Sequence, residues 1–119
     1  VHEATDRTVV IEPRHASWSE PEVNALLRRL HIARVAADPP RGTDLFRVDG
    51  ARSTAYFRLH GSPRIYWSAY TEEDLQPFAE AIRAAKKGGA EAWVMFDNTA
   101  GGHAIPNALR MMQLLGVQR

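Results

Sequence analysis

Two pairs of residues stand out as able to do chemistry. Glu12 and Arg14, and again Arg58 and His60, lie two apart within short apolar runs. On a β-strand that spacing places both members on one face. Arg14 and Arg58 offer planar donor forks that suit a carboxylate or a phosphate. Histidine changes charge near neutral pH, so His60 can act as general acid or base, with Glu12 or Asp38 orienting it or serving as base. Asp38 closes a second apolar run, and Asp97 with Asn98 closes a fourth. Glu12 and His60 are therefore the catalytic candidates, and Arg14, Asp38, Arg58 and Asn98 the binding candidates.

Charged residues at strand ends also form plain ion pairs over a sheet. Polar endings on every apolar run favour a site instead, because desolvating so many charges without a ligand is costly. His15, His60, His103, Asp38 and Asp97 make up an alternative metal set. They show no close ligand spacing, and two nearby arginines oppose a cation, so neither a metal nor another cofactor is expected. His2 and His31 read as surface residues. Tyr66, Trp67 and Tyr70 follow the third run and could stack on a ring, although aromatics more often pin loops to a rim. Gly101-Gly102-His103 resembles a phosphate-cradling turn, a weak signal because turns use glycine routinely.

These residues need strands to end beneath them. The runs 9–15, 33–38, 55–60 and 92–98 have the apolar content of buried parallel strands, and only Pro13 argues against its own. Ser19 with Glu22 predicts a capping box, with Pro21 in the first turn and a buried stripe of Val23, Leu26, Leu27 and Leu30. Thr71 with Asp74 starts a second helix with the stripe Leu75, Phe78, Ala79 and Ile82. Pro77 should bend or delay its first turn, and Lys86-Lys87-Gly88-Gly89 ends it. A last helix over 106–115 would bury Ala108, Leu109, Met112 and Leu115, with Gly116 closing it. Residues 39–53 read as a long loop. The alternation of strand and helix predicts an α/β fold with parallel strands, and ligands in such folds bind at the carboxyl ends of the strands.

The chain has 119 residues, a net charge of +1, no cysteine, 45% hydrophobic and 24% charged residues. This suits one ordinary globular domain and excludes disulfides and thiolate chemistry. No apolar run is long enough to span a bilayer, and no signal peptide opens the chain, so no membrane partner and a cytoplasmic location are expected. Near-neutral charge gives no support to a nucleic-acid partner.

Glu12-x-Arg14-His15-x-Ser17-Trp18, Ala37-Asp38-x-Pro40, Arg58-Leu59-His60-Gly61, and then Tyr66 and Tyr70 occur in the order of one family's pattern. Phe96-Asp97-Asn98-Thr99, Gly102-His103-Ala104 and Pro106-Asn107-Ala108 complete it. In these motifs the chain resembles the YecE-like family, the domain of unknown function 72. The resemblance implies a TIM-barrel-like fold with shared polar residues at the mouth, and adds Tyr66 and Asn107 to the binding candidates. It implies no activity; a nucleic-acid-binding or endonuclease-like role rests on fold analogy alone. Pro13 stands where the family usually has an aromatic residue, Ala16 where it often has proline, and Asp97 where asparagine is usual. The family's N-terminal half, with its glutamate-asparagine and Phe-Tyr signatures, is missing.

The expected architecture is thus the four-stranded parallel half of a TIM-like (β/α)8 barrel, with residues 1–119 as its C-terminal half. Whole barrels of this kind hold roughly 250 residues. The valine start then reads as a cut or alternative start. The expected role is part of a pocket for an anionic small molecule or nucleotide. The alternatives are an inactive truncated remnant, a half barrel that self-associates as a homodimer, and a nucleic-acid-binding barrel.

Overall fold

The structure is a computed structural model that describes residues 8–12, 14, 17, 20–39, 49–50 and 53–116. Expectations for Pro13, His15, Ala16, Trp18 and Ser19, and for most of the 39–53 loop, fall outside the described residues. The elements run β1 (Val9–Ile11), α1 (Pro21–Arg29), β2 (Ile32–Arg34), β3 (Ala36–Asp38), β4 (Asp49–Gly50), β5 (Thr54–Leu59), α2 (Glu72–Lys87), β6 (Glu91–Phe96) and α3 (Ala104–Leu115).

The chain is α/β, with β1 parallel to β2, β3 parallel to β5 and β5 parallel to β6. The single second strand expected over 33–38 is divided. Its first half pairs with β1 and its second half with β5, giving the strand orders β1-β2-β4 and β3-β5-β6. The division falls at Val35, whose N–H still donates to the Ile11 carbonyl at 2.8 Å. A strand staggered between two neighbours serves each with a different part of its length. Within the expected loop, β4 adds a short antiparallel partner to β2.

Strand β5 alternates strictly: Ala55, Phe57 and Leu59 are buried, while Thr54, Tyr56 and Arg58 are half-buried. Its apolar face meets Leu75, Ala79 and Ile82 of α2 and Met111 of α3, which form the core with Ala36 and Tyr70. Ala92, Val94 and Phe96 of β6 pack on the same side. The opposite face carries Arg58 beside Met95 and Tyr56 beside Trp93. Trp93 and Met95 are 46% and 37% exposed.

The helix ends correct two expectations. Glu20, not Ser19, is the N-cap of α1, and it makes no side-chain cap. Helix α3 starts two residues earlier than read, at Ala104 behind an uncapped His103, which leaves Pro106 in the tolerated first turn. Both buried stripes are also rotated. Helix α1 buries Asn24 and Leu27 and leaves Leu26 exposed; α3 buries Ala104, Asn107 and Met111 and leaves Leu109 exposed. In each case a buried asparagine occupies the inner line predicted for an apolar stripe. Helix α2 keeps its expected start and most of its stripe: Thr71 and Asp74 form the capping box, Leu75, Ala79 and Ile82 are buried and Phe78 is partly buried. Pro77 does not delay the helix, which runs from Glu72 through it. Gly89, at φ +94°, takes the left-handed turn after it.

Candidate functional site

Three strand ends deliver charged groups to one place. Glu12 follows β1, Arg58 and His60 close β5, and Asp97 follows β6. Arg58 is the hub: Nε and Nη2 donate to Asp97 Oδ2 at 3.1 and 2.6 Å, and Nη1 donates to Glu12 Oε1 at 3.3 Å. Burial disfavours the Arg58 charge, but the hydrogen bond and charge of Asp97, with Glu12 behind it, outweigh that and raise its pKa above the ordinary arginine value. Arg14, more than half exposed, touches Glu12 Oε2 at 3.4 Å.

His60 is buried among these groups. Its Nε2 lies 3.3 Å from the Glu12 Oε1 that also accepts from Arg58. Its Nδ1 lies 3.1 Å from Asp97 Oδ2 but off the line that a hydrogen bond requires. Two carboxylates thus flank one imidazole. The Tyr66 ring meets the His60 ring edge-on, 5.8 Å between centroids. The candidates Glu12, Arg14, Arg58, His60 and Tyr66 are therefore brought together, with Asp97 as their partner.

Three further candidates lie elsewhere. Asp38 pairs in register with Leu59, which turns it toward the helix side of the sheet. There its Oδ2 accepts from the Tyr70 hydroxyl at 2.8 Å, and that hydroxyl accepts from the Gly61 N–H at 2.8 Å. Burial raises the Asp38 pKa against the lowering effect of the Tyr70 bond, and burial with the Asp38 bond pushes the Tyr70 pKa far up. Asn98 and Asn107 are both buried. Asn98 Nδ2 donates to the Ser68 carbonyl at 3.0 Å and to Asn107 Oδ1 at 2.8 Å, and Asn107 holds both backbone groups of Tyr70. These residues fasten the segment after β5 against the sheet and α3.

That segment also has a feature with no signature in the sequence. Arg64 places its guanidinium 4.7 Å from the centre of the Trp67 ring, and among the described residues it has no carboxylate partner. An isolated arginine in a turn carries no periodic signal, so only the folded turn reveals the pair. Gly61 makes the turn possible: at φ +102°, a Cβ there would lie 3.1 Å from the Arg64 carbonyl and 3.2 Å from the Tyr66 nitrogen.

The ring of His103 lies beside Gly101 at the start of α3. Among the described residues, no group of three or more histidine and acidic side chains is placed to hold a metal ion. No described helix is long and apolar enough to cross a membrane.

The family described as "Protein of unknown function DUF72" matches the sequence over residues 2–119. A crystal structure of a DUF72 family protein from Thermotoga maritima MSB8 superposes with a TM-score of 0.85 at 28% identity, covering 97% of this chain and 48% of that one. A DUF72 family protein from Enterococcus faecalis V583 gives a TM-score of 0.83 at 23% identity, covering 99% of this chain and 50% of that one. The chain thus spans about half the length of these solved structures. No curated protein matches it.

Proposed function

The chain belongs to the DUF72 family of proteins of unknown function, and from that premise we propose that it is one half of a TIM-like barrel, contributing part of a pocket for an anionic small molecule at the carboxyl ends of its strands. Parallel strands with helices on one face, in a chain spanning about half of its solved relatives, support the half-barrel reading. One observation carries the pocket: Arg58, one-third exposed, is gripped by Glu12 and Asp97 beside His60 at the ends of three strands.

The cluster offers both donors and acceptors. An anionic group competes for the forks of Arg14 and Arg58, and hydroxyls on the same ligand meet Glu12 and Asp97. A sugar phosphate or nucleotide has that combination. Glu12 and His60 lie 3.3 Å apart, within reach of a proton passing between them. Calorimetric titration with inorganic phosphate and ribose 5-phosphate tests this. Binding that weakens in Arg58→Gln and in Arg14→Gln supports it; heat indistinguishable from dilution at millimolar ligand rejects it. Among the described residues Arg14 makes only one long contact, so its variant remains informative if Arg58→Gln folds poorly.

The exposed Trp93 and Met95 favour a second reading, in which two copies associate through the open sheet face. Light scattering across a concentration series tests it, and a monomer at every concentration rejects it.

A further inference from the structure

We propose that the turn between β5 and α2 is a ring-stacking subsite, so that the ligand is a phosphorylated nucleoside with its base on Tyr66 and its phosphate reaching the arginines, one of them held over Trp67. This deepens the pocket reading above and rests on it.

Tyr66 is a bulky residue held at φ +69°, a conformation side chains other than glycine seldom adopt. Strain of that kind persists only where the surroundings enforce it. Here they do. The Tyr66 N–H donates to the His60 carbonyl, and the Tyr66 carbonyl accepts from Ala100 at 2.9 Å. Asn98 and Asn107 pin Ser68 and Tyr70 just downstream. Yet the side chain so presented is not buried: Tyr66 is 41% exposed and its neighbour Trp67 is 48% exposed. A packing role would hide these rings, whereas a rigid backbone with exposed aromatic faces is what a stacking platform needs. Preorganisation lowers the ordering cost of binding.

The charges around the rings set the ligand class. Tyr66 adjoins His60, and through it the Arg58 cluster. Arg64 lies over Trp67 with no carboxylate partner among the described residues, unlike Arg58, so its charge is open to an anion. Rings flanked by an open cation fit a planar base joined to a phosphate. Stacking on an aromatic side chain tolerates any base, so purine and pyrimidine nucleotides should both bind.

The test compares adenosine monophosphate, uridine monophosphate, ribose 5-phosphate and inorganic phosphate on the wild-type chain and on Tyr66→Asn and Arg64→Gln, by calorimetry. Asparagine tolerates the left-handed backbone, so the first variant removes the ring without unmaking the turn. Both nucleotides should bind about tenfold more tightly than ribose 5-phosphate, the scale of one stacked base. Tyr66→Asn should erase that advantage and leave phosphate binding intact, while Arg64→Gln should weaken the phosphorylated ligands and leave the nucleotide advantage in place. Equal affinity for nucleotides and ribose 5-phosphate, or an advantage that survives Tyr66→Asn, overturns the stacking subsite alone. Absence of binding by all four compounds overturns the pocket and the subsite together.

Discussion

Tyr70 and Asn107 hold each other by two hydrogen bonds: the Tyr70 N–H donates to Asn107 Oδ1 at 3.0 Å, and Asn107 Nδ2 donates to the Tyr70 carbonyl at 3.1 Å. The pair imitates one rung of a sheet ladder between a loop and a helix. It explains why α3 buries an asparagine on its inner line: the backbone at Tyr70 is buried, and its polar groups must find partners. Asn107→Leu keeps the volume but orphans both groups of Tyr70 and one bond of Asn98. Each buried orphan costs about 1–3 kcal/mol, so the variant should lose at least ~2 kcal/mol. Urea denaturation measures this, and a loss below ~0.5 kcal/mol would show that water satisfies the groups and that the rung is not structural.

Asp38 and Tyr70 link the same segment to acid stability. Burial is the first cause of the raised Asp38 pKa, so the native carboxyl keeps its proton to higher pH than the unfolded chain, whose ordinary value is 3.8. The stabilising contribution of Asp38 is therefore fully present below that value and lost as pH rises through the raised native pKa. Asp38→Asn keeps an acceptor for the Tyr70 hydroxyl but cannot ionise. Relative to wild type, the variant should gain melting temperature between pH 4 and pH 7. Parallel melting curves across that range would refute the assignment.

The sequence made some of this legible and hid the rest for identifiable reasons. The alternation of β5 placed Arg58 and His60 on one face correctly, because a period of two needs no knowledge of neighbouring strands. Asp38 also ends a strand and so resembles them in sequence, yet its register with Leu59 sends it to the other face. Register is a relationship between strands, and a shift of one residue reverses the face. Tyr70 read as a rim aromatic but is 5% exposed, with its ring edge-on to Phe78 and Phe96. Aromatic type alone does not separate a core ring from an exposed one such as Tyr66. The capping box of α2 was readable because it is local, lying wholly between Thr71 and Asp74.

Asp97 competes with any anion for Arg58, since its Oδ2 accepts from two guanidinium nitrogens. Both side chains are about one-third exposed, so solvent screens the pair and its net worth is only ~1 kcal/mol. Asp97→Asn should accordingly change stability little while freeing the fork of Arg58. Phosphate affinity should rise about fivefold, the equivalent of that ~1 kcal/mol. Calorimetric titration of both proteins decides it, and unchanged or weaker phosphate binding would show that Asp97 does not gate the arginine.

Trp93 and Met95 lie on the face of β6 opposite the core, next to Tyr56 and Arg58 of β5. Exposed aromatic surface on an open sheet face favours burial against another protein surface. If two copies cover this face, the apparent mass should rise with concentration, and tryptophan emission should shift to shorter wavelength as Trp93 leaves water. Trp93→Lys puts a charge into the proposed contact and removes nothing from the core, so it should hold the protein monomeric. The stability of the isolated monomer should change by less than ~0.5 kcal/mol, as expected of a surface position. Light scattering with parallel denaturation separates the effects. Self-association that persists in Trp93→Lys would place the contact on a different surface, such as the exposed Ile105 and Leu109 of α3.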